Sequence, residues 1–195
     1  ALALIIGVGF FLKYAFDNDW ISETMRVLMG AAAGGALLFF AERTHKKDFK
    51  VFAQGLVGAG VAILYLSVYA ALHFYHLVPQ VVAFGLMSAV TMITLWLALK
   101  YDSLAVTLLG WAGGFLTPIM LSTDVANEIG LFTYVALLDA GLLAIVLSKE
   151  KWIVLEPLSL AATAMMYFLW FVSDYTPDKF MPTLFFLVLF WMLFF

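Results

Sequence analysis

Eight long runs of apolar residues alternate with short polar breaks along nearly the whole chain, at approximately 1–16, 24–41, 51–74, 80–99, 104–121, 130–148, 152–172 and 181–195. The breaks carry turn-forming residues: Asp17-Asn18-Asp19, Pro79, Asp102-Ser103, Ser122-Thr123-Asp124 and Ser173-Asp174. A helix needs about 20 residues to cross a hydrocarbon core, and its backbone hydrogen bonds close within the segment, which isolated strands cannot manage in lipid. Each run therefore predicts a membrane-crossing helix. Together they predict an all-α, polytopic transmembrane bundle of about eight spans, a single domain over 1–195. The chain opens at Ala1 and closes at Phe195 inside apolar runs, so the reading is of a fragment of a larger membrane protein, cut at both ends. The first run has neither a basic leader nor a small-residue cleavage site, and so does not read as a signal peptide.

Composition agrees with the pattern. Hydrophobic residues make up 65% and charged residues 12%, with a mean hydropathy of +1.04. A soluble domain of this size lacks the interior to bury that much apolar surface. The ten Lys and Arg are scattered at the ends of runs, so no nucleic-acid patch is expected. Cysteine is absent, which excludes disulfides and thiolate metal sites.

Charge then orients the spans. Arg43, Lys46, Lys47 and Lys50 in the 42–50 loop, Lys100 in the 100–103 loop, and Lys149 and Lys151 in the 149–151 loop all fall on one side when eight spans alternate. The other side holds Asp17, Asp19, Glu23, Asp124, Glu128, Asp174 and Asp178, with Lys179 as its basic residue. The positive-inside rule places the basic loops in the cytoplasm.

Small residues mark where helices approach one another. Gly30-Ala31-Ala32-Ala33-Gly34, Gly110 with Gly114, and the patch of Gly55, Gly58 and Gly60 let backbones come close where packing drives association. Internal packing is the first reading of these faces, and partner proteins or a homo-oligomer the second. The eighth run is bulky all round (Phe185, Phe186, Phe190, Trp191, Phe194, Phe195), which predicts a helix facing lipid or a missing neighbour. Gly113-Gly114-Phe115-Leu116-Thr117-Pro118 is the strongest local irregularity. Pro118 offers no donor to the carbonyl of Gly114, so either a functional helix break in this segment or a frayed end is expected.

Polar groups inside the runs are where function is sought. Asp139 lies nine residues before the end of the sixth run, about 13 Å at 1.5 Å per residue, which is near the bilayer centre. An acid there is costly and seeks a partner or a proton. Its two readings are a proton or cation coupling site, and an acid hydrogen-bonded to a neighbouring helix. Glu156, Ser159, Thr163 and Tyr167 form one stripe on the seventh run, and Gln54, Gly58, Tyr65, Tyr69, His73 and His76 form another on the third. Such faces point inward, toward other helices or a water-filled cleft. The candidate polar cleft is therefore Asp139, Glu156, Ser159, Thr163, Tyr65, Tyr69 and Thr117. Lys13 and Arg26 lie about one turn inside their runs on the acidic side. They read as locally ion-paired with Asp17 and Glu23, or as an anion or headgroup site. His73 and His76 alone do not make a metal site. No nucleophile elbow, zinc-protease helix, phosphate loop or carboxylate pair is present, so no catalytic residue, cofactor or enzymatic activity is expected.

Several segments taken together carry a resemblance: Gly9-Phe10-Phe11-Leu12-Lys13-Tyr14-Ala15, Asp17-Asn18-Asp19-Trp20-Ile21, Arg26, Gly58-Ala59-Gly60-Val61-Ala62-Ile63-Leu64-Tyr65, Tyr101-Asp102-Ser103 and Gly113-Gly114-Phe115-Leu116-Thr117-Pro118. The chain resembles, mainly over its first five runs, an uncharacterised bacterial family of multi-pass predicted membrane proteins with a domain of unknown function. The resemblance implies an inner-membrane protein, longer than this chain and with more spans, and brings no activity with it. Two functions stand: transport or lipid and small-molecule handling through an internal polar cleft, or a non-catalytic scaffold or assembly subunit. Membrane lipid is the expected partner in both.

Overall fold

The computed structural model describes residue 10, residues 20–121 and residues 128–195, and among them all regular structure is helical. The helices are α1 (Glu23–His45), α2 (Lys50–His73), α3 (Gln80–Tyr101), α4 (Leu104–Met120), α5 (Glu128–Ser148), α6 (Leu155–Asp174) and α7 (Phe180–Phe194). Short 3-10 turns, Glu150–Trp152 and Pro177–Lys179, lead into α6 and α7. These helices fall on the second to eighth apolar runs; the first run lies almost wholly outside the described residues. All but α4 are long and apolar enough to cross a membrane, α7 when counted with its 3-10 turn; α4 is shorter, at 17 residues.

The breaks stop helices by local chemistry. Ser22 caps α1, its hydroxyl accepting from Met25 N–H, and Ser103 caps α4 by accepting from Val106 N–H. Asp48, His76 and Asp102 take positive φ in the turns after α1, α2 and α3, the left-handed geometry that closes a helix. Pro157 sits in the first turn of α6, where its missing N–H breaks no ladder bond.

The chain forms two compact units, Ala1–Leu86 and Met87–Phe195. In the first, α1 and α2 make a close hairpin through the glycines. A Cβ on Gly34 would meet Gly60 O at 2.9 Å, and one on Gly60 would meet Gly34 O at the same distance. Neither backbone can yield cheaply, so only glycine permits this crossing. Gly30 faces Ser67 one turn away. Gly55 has nothing near it, so the third-run patch is only partly a packing face. The polar stripe of α2 also stops earlier than its spacing predicts. His76 lies past the helix end, because the chain turns after His73.

In the second unit, α5 packs on α4, α6 and α7. Gly110 lies against Thr94 and Leu95, and Gly114 against Thr91 and Leu138. Phe132 of α5 sits among Tyr167, Trp170, Phe186 and Phe190, with ring centroids 5.0 to 6.1 Å away. The eighth run is therefore not simply lipid-facing bulk. Thr183, Phe186 and Phe190, spaced three and four residues apart, are buried, whereas Phe185, Trp191 and Phe195 are exposed. A uniformly bulky helix has no face marked in its own sequence; its neighbours choose one.

The Gly113–Pro118 segment does not break the helix either. α4 runs continuously through Pro118 to Met120. The carbonyl that Pro118 leaves without a ladder donor, Gly114 O, accepts from the Tyr134 hydroxyl of α5 at 2.9 Å. The missing bond is replaced from a neighbouring helix, which is how membrane helices tolerate proline.

Candidate functional site

Asp139 lies in the middle of α5, fully buried. Its Oδ2 accepts a hydrogen bond from Thr163 Oγ1 of α6 at 2.6 Å, and its Oδ1 has no hydrogen-bond partner among the described residues. One turn before Thr163, the Ser159 hydroxyl is also buried and without a partner. The stripe spacing of α6 puts Ser159 and Thr163 on one face, and burial shows that this face points into the unit. Among the described residues no cation pairs with the acid: the lysines of this unit lie at the helix ends. Lys149 and Lys151 bond Asp102 at one end, and Lys179 lies 3.5 Å from Glu128 at the other.

The surroundings of Asp139 along α5 are dry. Phe132, Val135 and Leu138 are buried on the Glu128 side and belong to the aromatic cluster. Leu142, Ile145 and Val146 are buried on the other side, and the last two pack with Trp152 and Leu155. The acid is thus closed off along the helix axis in both directions. A groove reaches its hydrogen-bond partner, Thr163. This groove, of about 260 Å³ between α6 and α7, is lined by Leu160, Thr163, Ala164, Tyr167, Leu187 and Phe190, among others. Thr163 belongs to both places: it lines the groove and donates to Asp139.

The other expected cleft residues divide. Thr117 is fully buried, but its hydroxyl donates to Gly113 O within α4 at 2.8 Å, an ordinary use for a helical threonine. Glu156 is half-buried in the first turn of α6, and Tyr167 donates to Thr183 O of α7 at 3.0 Å. Tyr65 and Tyr69 belong to α2 in the first unit. Tyr65 is buried, and Tyr69 stacks on His73 with centroids 4.4 Å apart. Lys13 lies outside the described residues. Arg26 is half-buried near the start of α1; its Nε donates to Ile21 O at 2.9 Å, and its guanidinium lies 5.9 Å from the Tyr75 ring centroid.

Three residues of this region were not marked by sequence. Tyr134 completes the backbone of α4, and the signal that could have found it was the orphan carbonyl that Pro118 implies. Trp111 has a buried indole N–H without a partner, as does Trp170; a tryptophan in an apolar run carries no mark of that kind. Among the described residues, no group of three or more His, Asp and Glu gathers to hold a metal ion.

The deciding observation is a match over the whole length: the family model described as "Predicted membrane protein (DUF2339)" covers residues 1–195. The chain belongs to the DUF2339 family. This DUF2339 chain is a membrane protein with several apolar helices, of unknown function. No curated protein and no solved structure matches it.

Proposed function

We propose that this DUF2339 protein handles a lipid-soluble small molecule or a lipid within the bilayer, by transport or transfer, and that Asp139 is its exchangeable proton or cation site. One observation carries the reading. A fully buried carboxylate with one neutral hydrogen-bond partner sits behind Thr163, which itself lines a lateral groove. Buried polar groups in native structures are nearly always satisfied, and those that are not tend to mark functional positions. An intramembrane acid without a cation partner follows the same logic. The groove walls are apolar and open sideways, which favours entry from the acyl-chain region over an aqueous channel along the helix axis. The chain's basic loops are taken as cytoplasmic, in a bacterial inner membrane.

Charge movement on a solid-supported membrane tests this without knowledge of the substrate. Proteoliposomes with the wild-type protein are expected to give a transient current after a pH or sodium jump, and Asp139→Asn is expected to abolish it. Equal currents from both proteins would remove Asp139 from the account.

The second reading is a non-catalytic scaffold. It is favoured by the dryness of Asp139: the Thr163 bond then serves only to pin α5 to α6. Absence of any current in the wild type, together with loss of α5–α6 stability in Asp139→Asn, would favour it.

A further inference from the structure

The first unit carries a second groove, chemically unlike the first. It runs between α1 and α2 at the end where α1 begins and α2 finishes, and it holds about 260 Å³. Arg26 and Tyr75 form its polar end, and Val27, Ile63, Leu66 and Ala70 line the rest. Arg26 is held in place: the Nε bond to Ile21 O and the ring of Tyr75 fix the guanidinium at the mouth of the groove. Ser67 is the remaining polar lining residue, and its hydroxyl donates to Ile63 O at 2.8 Å, leaving the floor effectively apolar. From Ile63 to Ala70 the helix rises about 10 Å, and Leu66 between them is largely exposed on the groove's open side.

A positioned guanidinium above an apolar trough of this length is complementary to an anion with a hydrocarbon tail. Arginine suits phosphate oxygens through its planar fork. The trough adds what a free anion would not use. We propose that the α1–α2 groove binds one acidic phospholipid, its phosphate at Arg26 and the upper part of an acyl chain along Ile63, Leu66 and Ala70. The site lies wholly in the first unit and is independent of Asp139.

Native mass spectrometry of the intact protein, titrated with phosphatidylglycerol and phosphatidylcholine of identical chains, tests this. Wild type is expected to retain the acidic lipid roughly tenfold better, the scale of one charge-assisted contact. Arg26→Gln should erase the preference. Ala70→Phe, which fills the trough and leaves the cation, should lower retention of the acidic lipid severalfold. An unchanged preference in R26Q overturns the proposal. Unchanged retention in A70F also overturns it, because the chain then has no seat. Full displacement by millimolar inorganic phosphate would show an anion site and not a lipid site. If R26Q does not fold, Arg26→Lys decides: it keeps the charge and loses the fork, so the preference should fall severalfold, and an undiminished preference counts against the site.

Discussion

At the scale of single residues, the question is why an aspartate sits in a dry interior. If Asp139 were there for stability, its contribution would have to come through Thr163, since Oδ2 bonds Thr163 Oγ1 and Oδ1 bonds nothing described. Interhelical hydrogen bonds in membranes contribute only about 0.6 kcal/mol on average, while an unsatisfied buried polar group costs about 1–3 kcal/mol. The acid is therefore a net burden on folding, and two variants separate the cases. Thr163→Val strands the second carboxylate oxygen as well and should destabilise by about 1–3 kcal/mol. Asp139→Leu removes the burden and should be neutral or stabilising. Reversible unfolding in mixed micelles measures both. A large destabilisation by D139L would mean that the acid is structural. The sequence alone pointed to Asp139 because any acid in a 20-residue apolar run is legible. It also showed that Ser159 and Thr163 share a face. It did not show that Thr117 looks to its own helix, since a threonine can satisfy itself against the carbonyl four residues back, and spacing cannot reveal whether it does.

At the scale of helices, glycine and proline positions decide the packing. Gly34 and Gly60 touch backbone to backbone, whereas Gly55 and Gly35 face open space. Gly60→Ala should therefore push α1 and α2 apart and destabilise the hairpin by about 1–3 kcal/mol. Gly55→Ala should be neutral or gain up to about 1 kcal/mol from helix propensity. Equal responses in an unfolding assay would contradict the crossing described. The apolar runs predicted which segments are helices because the bilayer imposes length and hydrophobicity directly. Which face of a helix turns inward was legible only where small or polar residues broke the apolar surface. On α6 the buried Ser159 and Thr163 lie on the polar stripe; on α2 only Tyr65 of the stripe is buried, beside Ala53, Val57 and Val61; on α7 the buried Phe186 and Phe190 are chemically the same as the exposed Phe185. The Gly113–Pro118 segment misled for a related reason: the proline effect is local, but its remedy, the Tyr134 hydroxyl, comes from another helix.

At the scale of the molecule, the described lysines and arginines lie at or near helix ends, and the second unit shows how they are used there. Lys149 and Lys151, beyond the end of α5, both reach Asp102 in the α3–α4 turn, drawing two turns together. The hydrogen bonds from Lys151 and then Lys149 hold the Asp102 carboxyl below its ordinary value of 3.8. A carboxyl lowered by folding contributes stability that is fully present above its unfolded value and is lost as pH falls through the folded one. Thermal stability should thus decline below about pH 4, and Asp102→Asn should flatten that part of the profile. An identical acid limb in D102N would show that the cluster contributes nothing. The cluster is exposed, so added salt should weaken it as well. Family membership fits the membrane architecture without naming a task, so the proposed task is read from Asp139 and the groove that Thr163 lines.

The measurement that tests that reading most directly is labelling by dicyclohexylcarbodiimide, an apolar reagent that enters from the lipid and couples to a protonated carboxyl group. In the reconstituted wild-type protein, peptide mass mapping should place the adduct on Asp139. Labelling should rise in Thr163→Val, which removes the acid's hydrogen-bond donor at the groove, and disappear in Asp139→Asn. If Asp139 stays unlabelled at every pH in both wild type and T163V while exposed carboxyls react, the acid is sealed, and the proposal of a laterally reached exchange site is wrong.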